Sequence, residues 1–449
     1  MKQIEYKSIW LEQLKKSRKI KSISSNISTD TIIVGAGISG VITAYYLLKD
    51  TNKKIVILEA DKMGHGATGH NAGQVASYFE HSFSKIVKEY GLTKASQAQR
   101  FVLSAWDLLD HIIYEVNPKH KPDVFTGFAG CSTIEQLLSH LENSYKRNKS
   151  NVVMDFAYIK NNKKILEQIP KKYEHLYSIE TQDQVLKKLE TNNSSYIAAL
   201  AVRKGCLNSA KFCEEIIEYL YDKNPTRFEL YEQNPVEKIQ LHKTLVNVYF
   251  KNNKFKAKAK EIILCTNGFR NFQLVDSKCE LINTTHIDTV KGLIGYMGAY
   301  KLQANQRPTA ISYFPKNFDK TDAYFYLTRR KTKINENLIC IGGPDFDLKK
   351  DEFYNKKTHY IKDAKKQVES FLEKNHKFTP ENISMQYNWE GLMGYTKTNL
   401  RVIGQDKIYS NLYYNLGCNG VGILPSIFGG KRLSLLFQGK KLEKTVFDP

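Results

Sequence analysis

Three glycines spaced Gly35-x-Gly37-x-x-Gly40 sit between an apolar run, TIIV (31–34), and a helix-forming stretch, VITAYYLLKD (41–50). This spacing suits phosphate chemistry. Gly35 permits a tight turn, Gly37 lets backbone approach a pyrophosphate, and Gly40 allows close helix–strand packing. Ala36, Ile38 and Ser39 fill the positions between them, and the free N–H groups at the helix start favour negative charge. Glu59 ends the next apolar run, KKIVILEA (53–60), followed by Ala60. A carboxylate there accepts from ribose hydroxyls and repels a 2′-phosphate. Together these features predict dinucleotide binding; the alternative is a glycine turn in an unrelated α/β fold. A second glycine-rich loop, Gly64-His65-Gly66-Ala67-Thr68-Gly69-His70-Asn71-Ala72-Gly73-Gln74, follows within a few residues. A simple NAD dehydrogenase would continue with more alternating strands and helices.

The elements that must hold these loops are readable from periodicity. TIIV and KKIVILEA read as buried parallel strands flanking a helix, a β–α–β unit. Residues 82–116 and 211–222 have helical patterns, and 135–195 reads as mostly helical. Residues 227–268 read as strands with an Asn-Asn turn at 252–253, and 286–345 reads mainly as strands. A helical stretch around 359–374 precedes the closing strands, a loop and a final helix.

The 449 residues carry Lys+Arg 67 against Asp+Glu 46, a formal charge of +21. Hydrophobic residues at 41% and aromatics at 12% exclude a disordered polyelectrolyte. The positive excess is spread over Lys15, Lys16, Arg18, Lys19 and Lys21, then Lys254, Lys256, Lys258 and Lys260, then Lys349, Lys350, Lys356 and Lys357. With no arginine-rich block, nucleic acid is not expected as the main partner. Seven cysteines, an odd number with no CxxC pair, predict no disulfide framework and no metal site. The expected compartment is the reducing cytoplasm. The basic stretch at 15–22 before the apolar run at 31–48 superficially looks like a signal anchor. The glycines inside that run, and the strand-like segment directly after it, argue against one. No membrane span is expected, and the first 30 residues read as an arm with an amphipathic turn (Ile9, Trp10, Leu14).

The stretch LEADKMGHGATGHNAGQV (58–75) resembles the strand-end acid and flavin loop of the FAD-dependent D-amino-acid-oxidase-like (DAO) oxidoreductases. The arm SIWLEQ (8–13) resembles the γ-glutamylputrescine oxidoreductase branch, and glycine-oxidase-type enzymes share the pattern. Further segments follow in family order: Asn234-Pro235-Val236 at the adenine, IILCTNG (262–268) with Thr266, Asn267 and Gly268, AYFYLTRR…LICIGGPD (323–345), and WEGLMGYT (389–396) with Gly394. LGCNGVGILPSIFGGKRLS (416–434) closes the set, with Gly417, Asn419, Gly420, Val421, Gly422 and Ile423 at the flavin. Two departures stand out. Lys397-Thr398-Asn399-Leu400-Arg401 replaces the usual Asp and Pro, and Gly420-Val421-Gly422 lacks the usual His.

The resemblance implies an α/β fold, with a Rossmann-like FAD domain (1–85, 195–285, 385–449) interleaved with a mixed-sheet substrate domain (86–194, 286–384). It implies FAD as cofactor and an enzyme that oxidises an amine or amino acid C–N bond by hydride transfer to flavin. The imine then hydrolyses; oxygen as acceptor would give hydrogen peroxide. His70 either hydrogen-bonds phosphate or backbone, or carries the flavin covalently. An aromatic, partly cationic pocket is expected. Tyr324 and Tyr326 share one strand face, Arg329 or Arg330 could pair with a substrate carboxylate, and Lys291 and Tyr296 are further candidates. Trp389 is read as core. Other readings are a transfer-RNA wobble-uridine side-chain modifying oxidoreductase and a non-catalytic flavoprotein.

Overall fold

Thr31–Val34 and Ile55–Leu58 are buried at every residue, as continuous apolar runs in a parallel sheet must be. They pair in parallel, with Ile33 opposite Ile57. The computed structural model describes residues 5–282, 286–302, 305–316, 324–333, 336–349, 352–376 and 385–449. Ala323 of the AYFYLTRR run and Lys350 of the charge excess lie outside the described residues.

Around that pair the sheet runs Phe228–Tyr231, Ile55–Leu58, Thr31–Val34, Glu261–Leu264, Leu412–Leu416 and Val402–Gln405. The pairings are parallel except the last. Helix Ile38–Asp50 packs against the final helix Ile423–Phe437 on one face. The other face meets a smaller sheet built on Val236–Leu241 and Val246–Phe250. The Asn-Asn turn falls as expected, with Asn252 in the left-handed region at φ +58°.

A larger mixed sheet carries Tyr387–Tyr395, Lys291–Leu302, Glu336–Asp347, Phe325–Lys333, Thr309–Phe314, Asp123–Cys131 and Ala198–Cys206 in that spatial order. Several placements differ from the sequence reading. The substrate segment expected from residue 86 onward begins inside Phe83–Val116, yet that helix buries Val102, Trp106 and Leu109 in the nucleotide-side core. Tyr387–Tyr395 lies in a segment expected on the nucleotide side, yet it pairs along Lys291–Leu302 in the large sheet. Residues 135–195 hold strands Phe156–Lys160 and Tyr177–Glu180 between short helices. Phe156 and Tyr158 fill the outward positions with aromatic rings, so the apolar/polar alternation of that strand is hidden in the sequence.

The arm is part of the core. Ile9 and Trp10 are buried, and Trp10 Nε1 donates to Asn71 O at 2.6 Å. No helix among the described residues is long and apolar enough to cross a membrane.

Candidate active site

The first glycine turn is built as its spacing requires. Gly35 sits at φ +104°, and a Cβ there would lie 2.8 Å from Cys265 O. A Cβ at Gly40 would overlap Gly35 O. Gly37 precedes the helix, where Thr68 Oγ1 accepts from Ile38 N at 2.9 Å. Glu59 accepts from Ala36 N at 2.8 Å and from Asp61 N at 2.9 Å. These bonds pin the carboxylate at the strand end and leave lone pairs for hydroxyl donors. Desolvation nonetheless holds its carboxyl above the usual range.

A cavity of about 700 Å³ opens along this cradle. Gly35, Gly37, Ile38, Ser39, Glu59, Ala60 and Val236 line it on the nucleotide side, with Gly66, Ala67, Thr68, His70, Asn71, Ala72 and Gln74 from the second loop. Thr266, Asn267, Gly420, Val421, Gly422, Ile423, Tyr324 and Tyr326 complete the predicted lining. Ala36, Gly40, Gly73, Gly268, Gly394, Gly417 and Asn419 stand behind that surface and shape it. A Cβ at Gly394 would lie 2.6 Å from Gly268 N, and Asn419 Oδ1 accepts from Thr396 N at 2.8 Å. Among the described residues Gln74 Nε2 and Thr266 Oγ1 are buried without a protein partner, and both residues face this cavity. Buried polar atoms of this kind await a ligand or water, so the residues present fit a dinucleotide.

Asn267 staples the cavity together. Its Oδ1 accepts from Cys418 N at 2.9 Å and from Gly394 N at 3.2 Å. Arg401, one of the residues that depart from the family pattern, proves structural. It is buried, and its guanidinium donates to Ser39 Oγ, Asn415 O, Asn415 Oδ1 and Gly417 O. Burial pulls it down to about 10. Gly420-Val421-Gly422 leads into the final helix, whose free N–H groups open on the cavity.

His70 Nδ1 lies 2.9 Å from Gly66 O. A carbonyl only accepts, so Nδ1 carries the hydrogen. Burial pushes this imidazole down to about 4, which keeps it neutral.

Beyond the nucleotide cradle the wall is aromatic and acidic: Tyr78, Glu80, Tyr324, Tyr326, Asp345 and Tyr395. The rings of Tyr324 and Tyr326 lie 5.4 Å apart. Glu80 opens onto the cavity; the protein packed around it pushes its carboxyl up to about 7, and Asp345 is also raised by desolvation. The expected cationic lining is corrected here. Arg329 is three residues past Tyr326, so strand alternation turns it to the opposite face. It forms a bidentate pair with Glu190 at 2.5 and 2.8 Å. Arg330 stacks over Trp10 instead. Lys291 is exposed and outside the cavity lining. Tyr296 donates to Met385 Sδ in the core, and Trp389 packs edge-on against Trp10.

Sequence reasoning missed Tyr78, Glu80, Asp345 and Tyr395. Tyr78 and Glu80 follow Gln74 in the same loop, and Asp345 ends the quoted LICIGGPD run, so their positions were at hand. The positive charge gathers elsewhere, in a neighbouring cleft lined by Lys7, Lys15, Lys16, Arg18, Lys62 and Lys356. Four of these cations are held by Glu12, Glu218, Glu232 and Asp61.

Residues 30–436 match the family described as DAO, FAD dependent oxidoreductase. A probable oxidoreductase, OrdL, of Haemophilus influenzae is 25% identical over 242 residues, 54% of this chain and 49% of that protein. The chain thus spans about half the length of that relative. The γ-glutamylputrescine oxidoreductase of Escherichia coli is 21% identical over 426 residues, covering 93% of this chain and 85% of the relative. Among solved structures, glycine oxidase from Geobacillus kaustophilus superposes with a TM-score of 0.67 at 14% identity, covering 94% of this chain and 98% of that one. The cradle, the cavity and the family match agree: the chain belongs to the DAO family of FAD-dependent oxidoreductases, and FAD is its cofactor.

Proposed function

We propose that the protein oxidises the C–N bond of a positively charged amine, yielding an imine that water hydrolyses. The observation that carries this reading is the acidic, tyrosine-walled part of the cavity. Glu80 and Asp345 attract an ammonium, and the faces of Tyr324 and Tyr326 suit a cation. Lys356 and Arg401 also line the cavity, but both are tied to the nucleotide side, Lys356 by Asp61 and Arg401 by the Gly417 loop. Among the described residues a substrate carboxylate therefore finds no free guanidinium fork, which favours amines over amino acids. When bound, FAD supplies the two-electron acceptor for the hydride leaving the carbon beside nitrogen. The names of the relatives, a γ-glutamylputrescine oxidoreductase and a glycine oxidase, support a nitrogen-bearing substrate.

The test is an anaerobic screen of the holoenzyme, following the flavin spectrum. Diaminobutane and methylamine are expected to bleach it faster than glycine or sarcosine. Faster bleaching by the carboxylate-bearing compounds, or none by any of them, overturns the reading. Repeating the reaction in air and measuring peroxide then shows whether oxygen is the acceptor.

A further inference from the structure

Lys204 is only 1% exposed, on the strand Ala198–Cys206. Its Nζ donates to Ser312 Oγ at 3.0 Å and to Phe128 O at 3.4 Å, and among the described residues no carboxylate pairs with it. A buried ammonium without a counter-ion is costly, so such a lysine tends toward the neutral amine. Ser312, itself 2% exposed, also accepts from the Tyr324 hydroxyl at 3.0 Å. Tyr324 lines the cavity. Three polar groups thus run in hydrogen-bond contact from the substrate wall to a buried amine.

The titratable neighbours of Lys204 come from several segments. Glu80 and Tyr78 approach from the loop after Gln74–Ala76, Asp155 from the residue before Phe156–Lys160, and Cys206 from its own strand. Tyr324 reaches it through Ser312. Burial pushes the Lys204 amine down to about 8, against the smaller upward pull of Asp155, Cys206 and Glu80. A neutral acceptor is therefore within reach near neutral pH.

An amine substrate arrives as an ammonium at such pH. An ammonium nitrogen has no lone pair to stabilise the carbon from which hydride leaves. Its proton must depart first. We propose that Tyr324, Ser312 and Lys204 form a proton relay that removes this proton, an inference resting on the amine reading above. The N–H bond of the ammonium breaks as an O–H bond forms at Tyr324. With Lys204 neutral, the Ser312 hydroxyl turns its hydrogen toward the Nζ lone pair; the Tyr324 proton then passes to Ser312 Oγ as the Ser312 proton passes to Lys204 Nζ. One proton moves in and no electrons move; Lys204 ends as an ammonium and returns the proton by the same path after product leaves. Tyr324 is the member at the cavity wall, and Lys204 acts through the other two.

The test uses tert-butylamine, which has no hydrogen on the carbon beside nitrogen and cannot be oxidised, so binding is read without turnover. Its affinity for the holoenzyme is followed by flavin perturbation on either side of about pH 8. Below about 8 the wild-type affinity is expected to rise nearly tenfold per pH unit, because Lys204 must lose a proton to accept one. Above it the affinity levels off. In a Glu80→Gln background, which removes the carboxyl that itself titrates near 7, Lys204→Met and Ser312→Ala are expected to abolish this limb, and Ser312→Thr, which keeps the hydroxyl, to retain it. Survival of the limb in Lys204→Met or Ser312→Ala overturns the relay, as does its absence from a wild type that binds the amine. A wild type whose flavin responds to no amine at any pH sinks the amine reading itself, and the relay with it.

Discussion

Glu80 packs directly on Gly420, so a carboxylate from the segment after the flavin loop touches the turn that opens the final helix. A Cβ at residue 420 would collide with the Glu80 side chain. This contact places negative charge beside the site where the final helix offers its N–H groups, and it gives the cavity its acidic character.

Removing that charge should weaken cationic substrates without releasing FAD. Glu80→Gln and Asp345→Asn are each expected to raise the apparent Kd of diaminobutane about tenfold, about 1.4 kcal/mol per charge. Glu80, held near 7, is only partly ionised at neutral pH and Asp345 is shifted the same way, so a larger effect is not expected. The check is a titration of the anaerobic flavin spectrum. Unchanged affinity in both variants would show that neither carboxylate meets the amine.

Gly40→Ala should abolish FAD retention, because the added methyl meets backbone at Gly35 rather than a movable side chain. The expected product is a colourless protein with near-normal circular dichroism. A yellow preparation with full FAD content would contradict the close helix–strand approach.

Arg401→Met should lower both thermal stability and FAD affinity. Four buried oxygens lose the guanidinium, and although Asn415 O and Gly417 O keep Ser39 Oγ and Asn419 Nδ2 as donors, the expected loss is about 3 kcal/mol. Arg401→Lys should rescue little, since an ammonium cannot span Ser39 and the Gly417 loop together. Melting curves with and without added FAD separate the two effects.

Lys204 also sets a pH dependence of stability. Its folded value, about 8, lies below the ordinary lysine value of 10.5, so the unfolded chain binds more protons between these limits. Stability from this group is therefore lost below about 8 and recovered as pH rises toward 10.5. Lys204→Met is expected to be the more stable protein at neutral pH, by about 3 kcal/mol, with the gap closing in alkali. Urea unfolding at neutral and alkaline pH measures it. Equal gaps at both would refute the sign.

His70 should leave the flavin unattached. Its Nδ1–H is committed to Gly66 O, the bond expected of a backbone-holding histidine. After acid precipitation the yellow colour is expected in the supernatant. A yellow pellet that loses its colour in His70→Asn would establish covalent attachment.

The dinucleotide cradle was legible from the chain because its parts are contiguous. Gly35, Gly37, Gly40 and Glu59 lie within one strand–helix–strand unit, and local sterics dictate what each position must be. The resemblance carried that reading to FAD. Even the direction of Arg329 is implicit in the two-residue period of its strand, since three residues past Tyr326 put it on the opposite face from a cavity clamp. The charge of the cavity wall was decided only by tertiary structure. Glu80, Lys204, Ser312, Tyr324 and Asp345 come from separate strands and loops, brought together by pairings between distant segments. Each alone reads as an ordinary surface or core residue. Desolvation and mutual field turn them into a site, and both arise only when the chain has packed.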